Sequence, residues 1–354
     1  MNTPPCGTNP DILDNRTRGS TTVVQIAVNH APAAKLSAER GACRQPVLRE
    51  FFSSLADSRT LRGLAERSSI GQKLSSRFVA GTQLADVLQA TRRVVLSGSR
   101  VSIDNLGENV TNADQARSSA AVYHNLLDEI AAQRLDANIS LKLTHMGLDV
   151  DAGLARDLVA GLVAKAASRN PPNFVRVDME GSAYTQRTLD LVQDLYRRPA
   201  NQQSIGTVIQ SYLRRSKEDV ENLLSAGIRI RLCKGAYQEP KEIAFHKKSE
   251  VDANYRILMK TLLKSGLYHG LATHDPSIIE DAKSFATREN VPRESFEFQM
   301  LYGIRRDLQQ SLVKEGWRMR VYIPFGTEWY PYLMRRLAER PANVLFIAKN
   351  LVRW

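Results

Sequence analysis

From Val101 onward the chain alternates, eight times over, a short run rich in β-branched and aromatic residues with a longer amphipathic run. The strand candidates are VSIDNL at 101, ISLKLT at 139, FVRVDM at 174, IGTVIQ at 205, IRIRLC at 228, HGLATH at 269, FEFQML at 296 and RMRVYI at 318. Between them, apolar residues recur at helical spacing over 113–135, 151–168, 184–197, 217–226, 250–265, 276–288 and 303–315. A last such segment, 328–340, follows the eighth strand. Eight strands each followed by a helix predict an α/β fold, a (βα)8 barrel of the TIM type. The alternative is an open, doubly wound sheet, but no G-x-G-x-x-G follows the first strand to mark a dinucleotide site of that kind.

The rest of the chain is arranged around this repeat. Residues 1–45 are rich in Pro, Ala, Ser, Thr and Asn without periodicity and are expected to form a disordered tail. Residues 46–96 carry helical periodicity, 97–340 form the barrel, and 341–354 make an amphipathic tail. That tail, ANVLFIAKNLVRW with Lys349 and Arg353, suits either a membrane surface or packing against the barrel. Hydrophobic residues make up 43% of the chain, enough for a sizeable core, and the net charge is +12. The basic residues are scattered and no nucleic-acid-binding motif accompanies them, so the charge points to anionic small molecules before nucleic acid. Three widely spaced cysteines, Cys6, Cys43 and Cys233, form no disulfide framework and suit a reducing compartment. No run approaches the length of a membrane span, and Asp11 and Asp14 argue against a transit peptide. The expected location is the cytoplasm, with a peripheral contact on the inner face of the membrane as an added possibility.

In a barrel of this kind, chemistry gathers where the strands end. Here the ends carry Asn105 to Glu108, Lys142 with Thr144 and His145, Asp178 with Glu180, Gln210, Arg231 to Tyr237, Thr273 to Asp275, Gln299 with Leu301 and Tyr302, and Tyr322. Each has a plain reading too. Lys142 and Asp178 suit a structural ion pair as well as a site, Arg231 and Lys234 suit solvated positions, and His274 suits a cap before Pro276. It is the coincidence at nearly every strand that singles out the mouth. No zinc-type spacing, nucleophile elbow or P-loop occurs, so no metal is expected, and redox chemistry on a bound cofactor fits better than hydrolysis. In the final helix, Tyr332, Arg335, Arg336 and Glu339 share one face, and two neighbouring guanidiniums beside a phenol suit a carboxylate or phosphate. A solvated charged stripe is the competing reading.

The segments LKLTHMGLD, VRVDMEGSAYT, IQSYLRRS, RLCKGAYQEP, VDANY, LATHDP, FEFQMLYG and RVYIPFGTEWYPYLMRRLAERPAN, in this order, resemble proline dehydrogenase of the monofunctional bacterial type. The resemblance runs from about residue 46 to the C-terminus, and no aldehyde dehydrogenase module is expected, since the sequence stops at Trp354. It implies a distorted FAD-dependent barrel with its last helix over the mouth. Such an enzyme oxidises L-proline to Δ1-pyrroline-5-carboxylate by hydride transfer to flavin N5 and passes the electrons to a membrane quinone.

By the same resemblance, Arg335, Arg336 and Lys142 bind the proline carboxylate, and Tyr332 and Leu301 pack on the ring. Tyr322 stands at the far edge, where it would crowd a hydroxyproline, and Ala236 and Tyr237 close the pocket. Asp178 orients Lys142, and Glu108 pairs with Arg335 as a gate. Gln210, Arg231, Cys233, Lys234, Gly235, Ala236, Thr273, His274, Gln299 and Glu339 fall on the cofactor side. Three departures stand out: Cys233 for an aliphatic residue, His145 for a glutamine, and Asp275 where asparagine also occurs. Oligomeric state and quinone site are not legible. The competing readings are another FAD barrel, methylenetetrahydrofolate reductase, and a basic binding protein without catalysis.

Overall fold

The computed structural model describes residues 68–339. The expectations for residues 1–45, for the start of the helical segment and for 341–354 lie outside the described residues.

Eight strands form one closed parallel barrel: β1 Arg100–Asn105, β2 Ala137–Leu141, β3 Val175–Val177, β4 Ile205–Gln210, β5 Arg229–Cys233, β6 His269–Ala272, β7 Phe296–Leu301 and β8 Met319–Phe325. They pair in chain order, and β8 closes on β1 with Ser102 opposite Tyr322. Among the described residues, two helices, α1 Ser69–Phe78 and α2 Leu84–Leu96, precede the barrel. The strands are then followed in turn by α3 Ala113–Ala132, α4 Ala152–Ala167, α5 Ser182–Tyr196, α6 Ser216–Ser225, α7 Lys248–Lys264, α8 Pro276–Arg288, α9 Arg306–Lys314 and α10 Trp329–Glu339. This is the predicted (βα)8 architecture.

Local chemistry sets the boundaries. Asn112 caps α3 by accepting from the Gln115 N–H at 2.9 Å, and Asp151 caps α4 by accepting from Gly153 N–H at 2.7 Å. Asp275 caps α8, with Pro276 at the first helical position where its missing N–H costs nothing. Strand β2 stops at Leu141, three residues short of the sequence expectation. Glu180 accepts from the Thr144 N–H at 3.1 Å and from its hydroxyl at 2.6 Å, and the Met146 N–H bonds back to the Lys142 carbonyl at 3.2 Å. The chain therefore turns there instead of extending. Helix α9 begins at Arg306 and not 303 because Gly303 has φ +77°, and a Cβ on it would lie 1.8 Å from the Arg77 carbonyl oxygen. That close approach seats the loop after β7 against the end of α1.

The two faces of the barrel wall differ sharply. Outward-facing Val101, Ile103, Ile139, Leu141, Val175, Val177, Ile230, Leu232, Phe298 and Val321 are buried with Leu126, Leu127, Val159, Leu162, Val192 and Ile279 from the helices. Most inward-facing positions are polar: Ser102 and Asp104 on β1, Ser140 on β2, Arg176 on β3, Arg231 on β5, Glu297 and Gln299 on β7, Arg320 and Tyr322 on β8, while β4 and β6 turn the small or apolar Gly206, Val208, Gly270 and Ala272 inward. The usual buried parallel strand reads as a continuous apolar run, whereas VSIDN, IRIRL and FEFQM alternate. The apolar area that holds the fold therefore lies between strands and helices, and the lumen is left to chemistry.

Each fully buried aliphatic in that outer layer contributes about 1.5–3 kcal/mol. Ile103→Ala is expected to cost about 2–5 kcal/mol by urea denaturation; a loss under 1 kcal/mol would show that the layer does not carry the stability.

Candidate active site

Arg231 lies at the centre of the lumen, 5% exposed. Its Nε donates to Gln299 Oε1 at 2.6 Å, Nη1 to Asp178 Oδ1 at 2.8 Å and to Ser140 Oγ at 3.1 Å, and Nη2 to Ser102 Oγ at 3.1 Å. Its guanidinium carbon is 5.1 Å from the centre of the Tyr322 ring. The Tyr322 hydroxyl donates to the other Asp178 oxygen at 2.9 Å. Burial, then Asp104 and Asp178, raise the Tyr322 pKa far above the ordinary phenol value, so it remains a neutral donor.

Lys142 stands at the rim. Its Nζ bonds Asp104 Oδ2 at 3.2 Å and lies 3.9 Å from Glu108 Oε1. Burial opposes its charge, but Asp104 and then Glu108 outweigh that and raise its pKa above the usual lysine value. The sequence reading had Asp178 orient Lys142; the structure gives that task to Asp104. The Arg231 fork and the Tyr322 phenol occupy both Asp178 oxygens, because β3 brings Asp178 opposite these donors within the lumen. Asp104 was missed, although the alternation in VSIDN aims it inward with Ser102. Its second oxygen accepts from the Tyr123 hydroxyl at 3.2 Å.

The cofactor-side candidates fall on neighbouring strand ends. Gln210 is buried; its Nε2 donates to the Met179 carbonyl at 3.3 Å, while its Oε1 has no partner among the described residues. Gly235 has φ +102°, and a Cβ there would lie 2.1 Å from the Tyr212 ring, so only glycine fits this turn. Burial pushes the half-buried Cys233 thiol up to about 12, leaving it neutral. Nε2 of His274 accepts from the Leu301 N–H at 3.0 Å, which leaves the ring proton on Nδ1, and Thr273 N–H donates to the Gln299 carbonyl at 3.2 Å. Lys234 turns away from Arg231: its ammonium bonds Asp252 at 2.5 Å and Asp275 at 3.1 Å, on α7 and the cap of α8. Ala236 is exposed, and Tyr237 is half-buried.

Helix α10 follows β8. Tyr332, Trp329, Tyr330 and Leu333 are buried against Phe78, Val79 and Leu106. Arg336 lies over the Tyr332 ring, 5.4 Å from its centre, and its charge reaches the Cys233 thiol on β5. Of the predicted charged face, Arg336 lies close enough to the end of β5 for its charge to be felt there. The side chains of Arg335 and Glu339 lie outside the described residues. Sequence reasoning missed the support that α1 gives this helix. The segment is bound to the strand ends through Ala80 N–H to the Pro324 carbonyl at 2.8 Å and Gly326 N–H to the Gly81 carbonyl at 3.0 Å.

Fold and site define a class: a (βα)8 barrel that gathers charged and polar side chains at the C-terminal ends of its strands. A family model described as proline dehydrogenase matches residues 87–349. Proline dehydrogenase 2 of Bacillus subtilis (strain 168) is 37% identical over 307 residues, covering 87% of this chain and 99% of that one. Proline dehydrogenase of Deinococcus radiodurans is 36% identical over 300 residues, covering 82% and 96%. Among solved structures, proline utilization A from Bdellovibrio bacteriovorus, inactivated by N-propargylglycine, superposes with a TM-score of 0.70 at 26% identity. The match covers 75% of this chain and 32% of that one, so this chain spans about a third of its length. The chain belongs to the proline dehydrogenase family.

His145 gives the site a pH signature. It is buried against Gly107, where an added Cβ would lie 2.2 Å from the ring, and its Nδ1 has no partner among the described residues. Burial, with Lys142 adding to it, lowers its pKa from 6.5 to about 4. Below 6.5 the unfolded chain takes up a proton that the folded one refuses until about 4, so stability is lost as the pH falls through that window. His145→Gln is expected to reduce the stability lost between pH 7 and 5 by about 2 kcal/mol in urea unfolding; parallel profiles for the two proteins would refute it.

Proposed function

We propose that this chain is an FAD-dependent enzyme that oxidises L-proline to Δ1-pyrroline-5-carboxylate and passes the electrons to a membrane quinone. The observation that carries the reading is the Arg336 face of α10, turned toward the strand ends that hold Arg231, Gln210 and Gly235. The residues present fit a flavin. The buried, unmatched Gln210 carbonyl suits a ring N–H, and Arg231 suits an electron-rich edge. Cys233, Lys234, Ala236, Thr273, His274, Gln299 and Glu339 complete the cofactor side in this assignment. The flavin, when bound, supplies a two-electron acceptor at N5 for the hydride of proline C5.

Everything else is positioning. Lys142, held cationic by Asp104 and Glu108, joins Arg335 and Arg336 in binding the substrate carboxylate. Tyr332 and Leu301 enclose the ring, Tyr322 borders its far edge, and Ala236 and Tyr237 narrow the entrance. Asp178 already accepts from Arg231, Ser140 and Tyr322, so its role is to fix those donors and not to take a proton. The proline ammonium gives its proton to solvent on binding, its lone pair becomes the new C=N bond as the hydride leaves C5, and the product forms as the protonated imine. Orientation of this kind is worth on the order of 7–11 kcal/mol at best.

Among the described residues no helix is long and apolar enough to cross a membrane. We place the reaction in the cytoplasm, with peripheral contact to the inner face of the membrane for electron delivery. The net charge of +12 favours such contact with anionic lipid.

Purified protein is expected to show flavin absorption that bleaches when proline is added without oxygen; a colourless protein that takes up no FAD, or a flavin that proline leaves oxidised, would overturn the reading. Arg336→Met is expected to raise the KM for proline about tenfold or more, as loss of a charged contact does, with FAD still bound. Unchanged proline kinetics would remove Arg336 from the clamp.

A further inference from the structure

Below the mouth the polar lumen continues, and its lower half is organised by one carboxylate. Glu297 is 1% exposed. Its Oε1 accepts from Gln299 Nε2 at 2.7 Å and from Arg320 Nε at 2.5 Å, and its Oε2 accepts from the Tyr268 hydroxyl at 2.6 Å. Burial works against the ionised form, but Arg320 outweighs it and holds the pKa down at about 2. An ionised carboxylate only accepts hydrogen bonds. Gln299 therefore has to turn its NH2 toward Glu297 and its carbonyl toward Arg231, whose Nε donates to it at 2.6 Å. A flipped amide would set donor against donor at Arg231 and acceptor against acceptor at Glu297. Gly270, on the neighbouring strand, leaves space for this arrangement, since a Cβ there would lie 2.3 Å from the Gln299 amide nitrogen.

We infer that Glu297, backed by Arg320, is a positioning residue for the cofactor side of the site: it dictates the orientation of Gln299, and through it the plane of the Arg231 guanidinium. The inference rests on the flavin reading for its functional consequence, but the link from Glu297 to Arg231 stands on geometry alone. The competing role is simpler. As a mere counter-ion, Glu297 would neutralise Arg320 in the barrel floor and have no influence on the mouth. Stability cannot separate the two, because breaking any buried pair destabilises. The orientation of Arg231 can.

The test uses the full-length chain with the pair removed together, Glu297→Leu with Arg320→Met, since replacing a buried ion pair by apolar residues of similar volume is often neutral for stability. Tyr268→Phe, which leaves the Gln299 contact intact, serves as the control. The first readout needs no cofactor. In 15N-arginine-labelled protein, the Arg231 Nε–H resonance, assigned by its loss in Arg231→Lys, is expected to exchange slowly in the wild type and at least tenfold faster in the double variant. The second readout is FAD affinity, by quenching of FAD fluorescence on the apoprotein. The double variant is expected to bind at least tenfold more weakly, with a shifted flavin reduction potential, a lowered kcat and a proline KM within twofold of wild type. Tyr268→Phe is expected to stay within twofold throughout. Wild-type exchange, affinity and potential in a folded double variant would overturn the inference and leave Glu297 a counter-ion. Should the double variant not fold, Glu297→Gln with Arg320→Leu, in which no guanidinium fixes the carbonyl at 297 toward Gln299, decides on the same readouts. If the wild type takes up no FAD, the functional reading falls, and the exchange measurement still decides the positioning role.

Discussion

The guanidinium of Arg231 is the constraint around which the barrel is arranged. A buried cation is tolerated only where opposite charge and acceptors meet it, and removing its partner costs about 3–5 kcal/mol. Here Asp178, Ser140, Ser102 and Gln299 come from four different strands to meet it. Strand register and charge pairing are thereby tied together. A one-residue slip in β3 or β7 would carry Asp178 or Gln299 to the helix side and leave the cation alone.

This requirement explains the division of labour across the wall. A lumen filled with charges contributes little net stability, so the layer between strands and helices has to supply it. The fully buried aliphatic and aromatic residues on the outer face do so. Polar side chains that satisfy one another in low dielectric also stay in place, and a site that works by orientation needs that. Rigidity in the lumen and cohesion outside it are two aspects of one arrangement.

Much of this was legible in advance. Strand and helix alternation specified the architecture, and every strand candidate lies on an observed strand. The polar ends of those strands do gather at one mouth, with Arg231, Asp178, Tyr322 and Gln299 in direct contact. What could not be read was pairing. Lys142 and Asp178 looked like partners because both were inward cation and anion on adjacent strands, yet competition for Asp178 was decided by Arg231, which lies far away in sequence and offers more donors. Asp104 escaped notice although it stands at the fourth place of its strand candidate, as Arg231 and Gln299 do in theirs. The shortening of β2 depended on Glu180, a carboxylate one strand over. Helix α10 was read from its own periodicity, but its support on α1 came from aromatic contacts between the two ends of the described chain, which no local pattern records.

That last contact bears on where this enzyme begins as a physical object. The family model starts at residue 87, within α2, and a boundary drawn by strand count would start at β1. Either cut discards Phe78 and Val79, on which Tyr332 and Leu333 rest, and the backbone links from Ala80 and Gly81 to the end of β8. Helix α10 would then lose the surface on which it packs. A change in the segment ahead of the barrel would therefore alter how α10 is held over the strand ends without altering any side chain of the lumen.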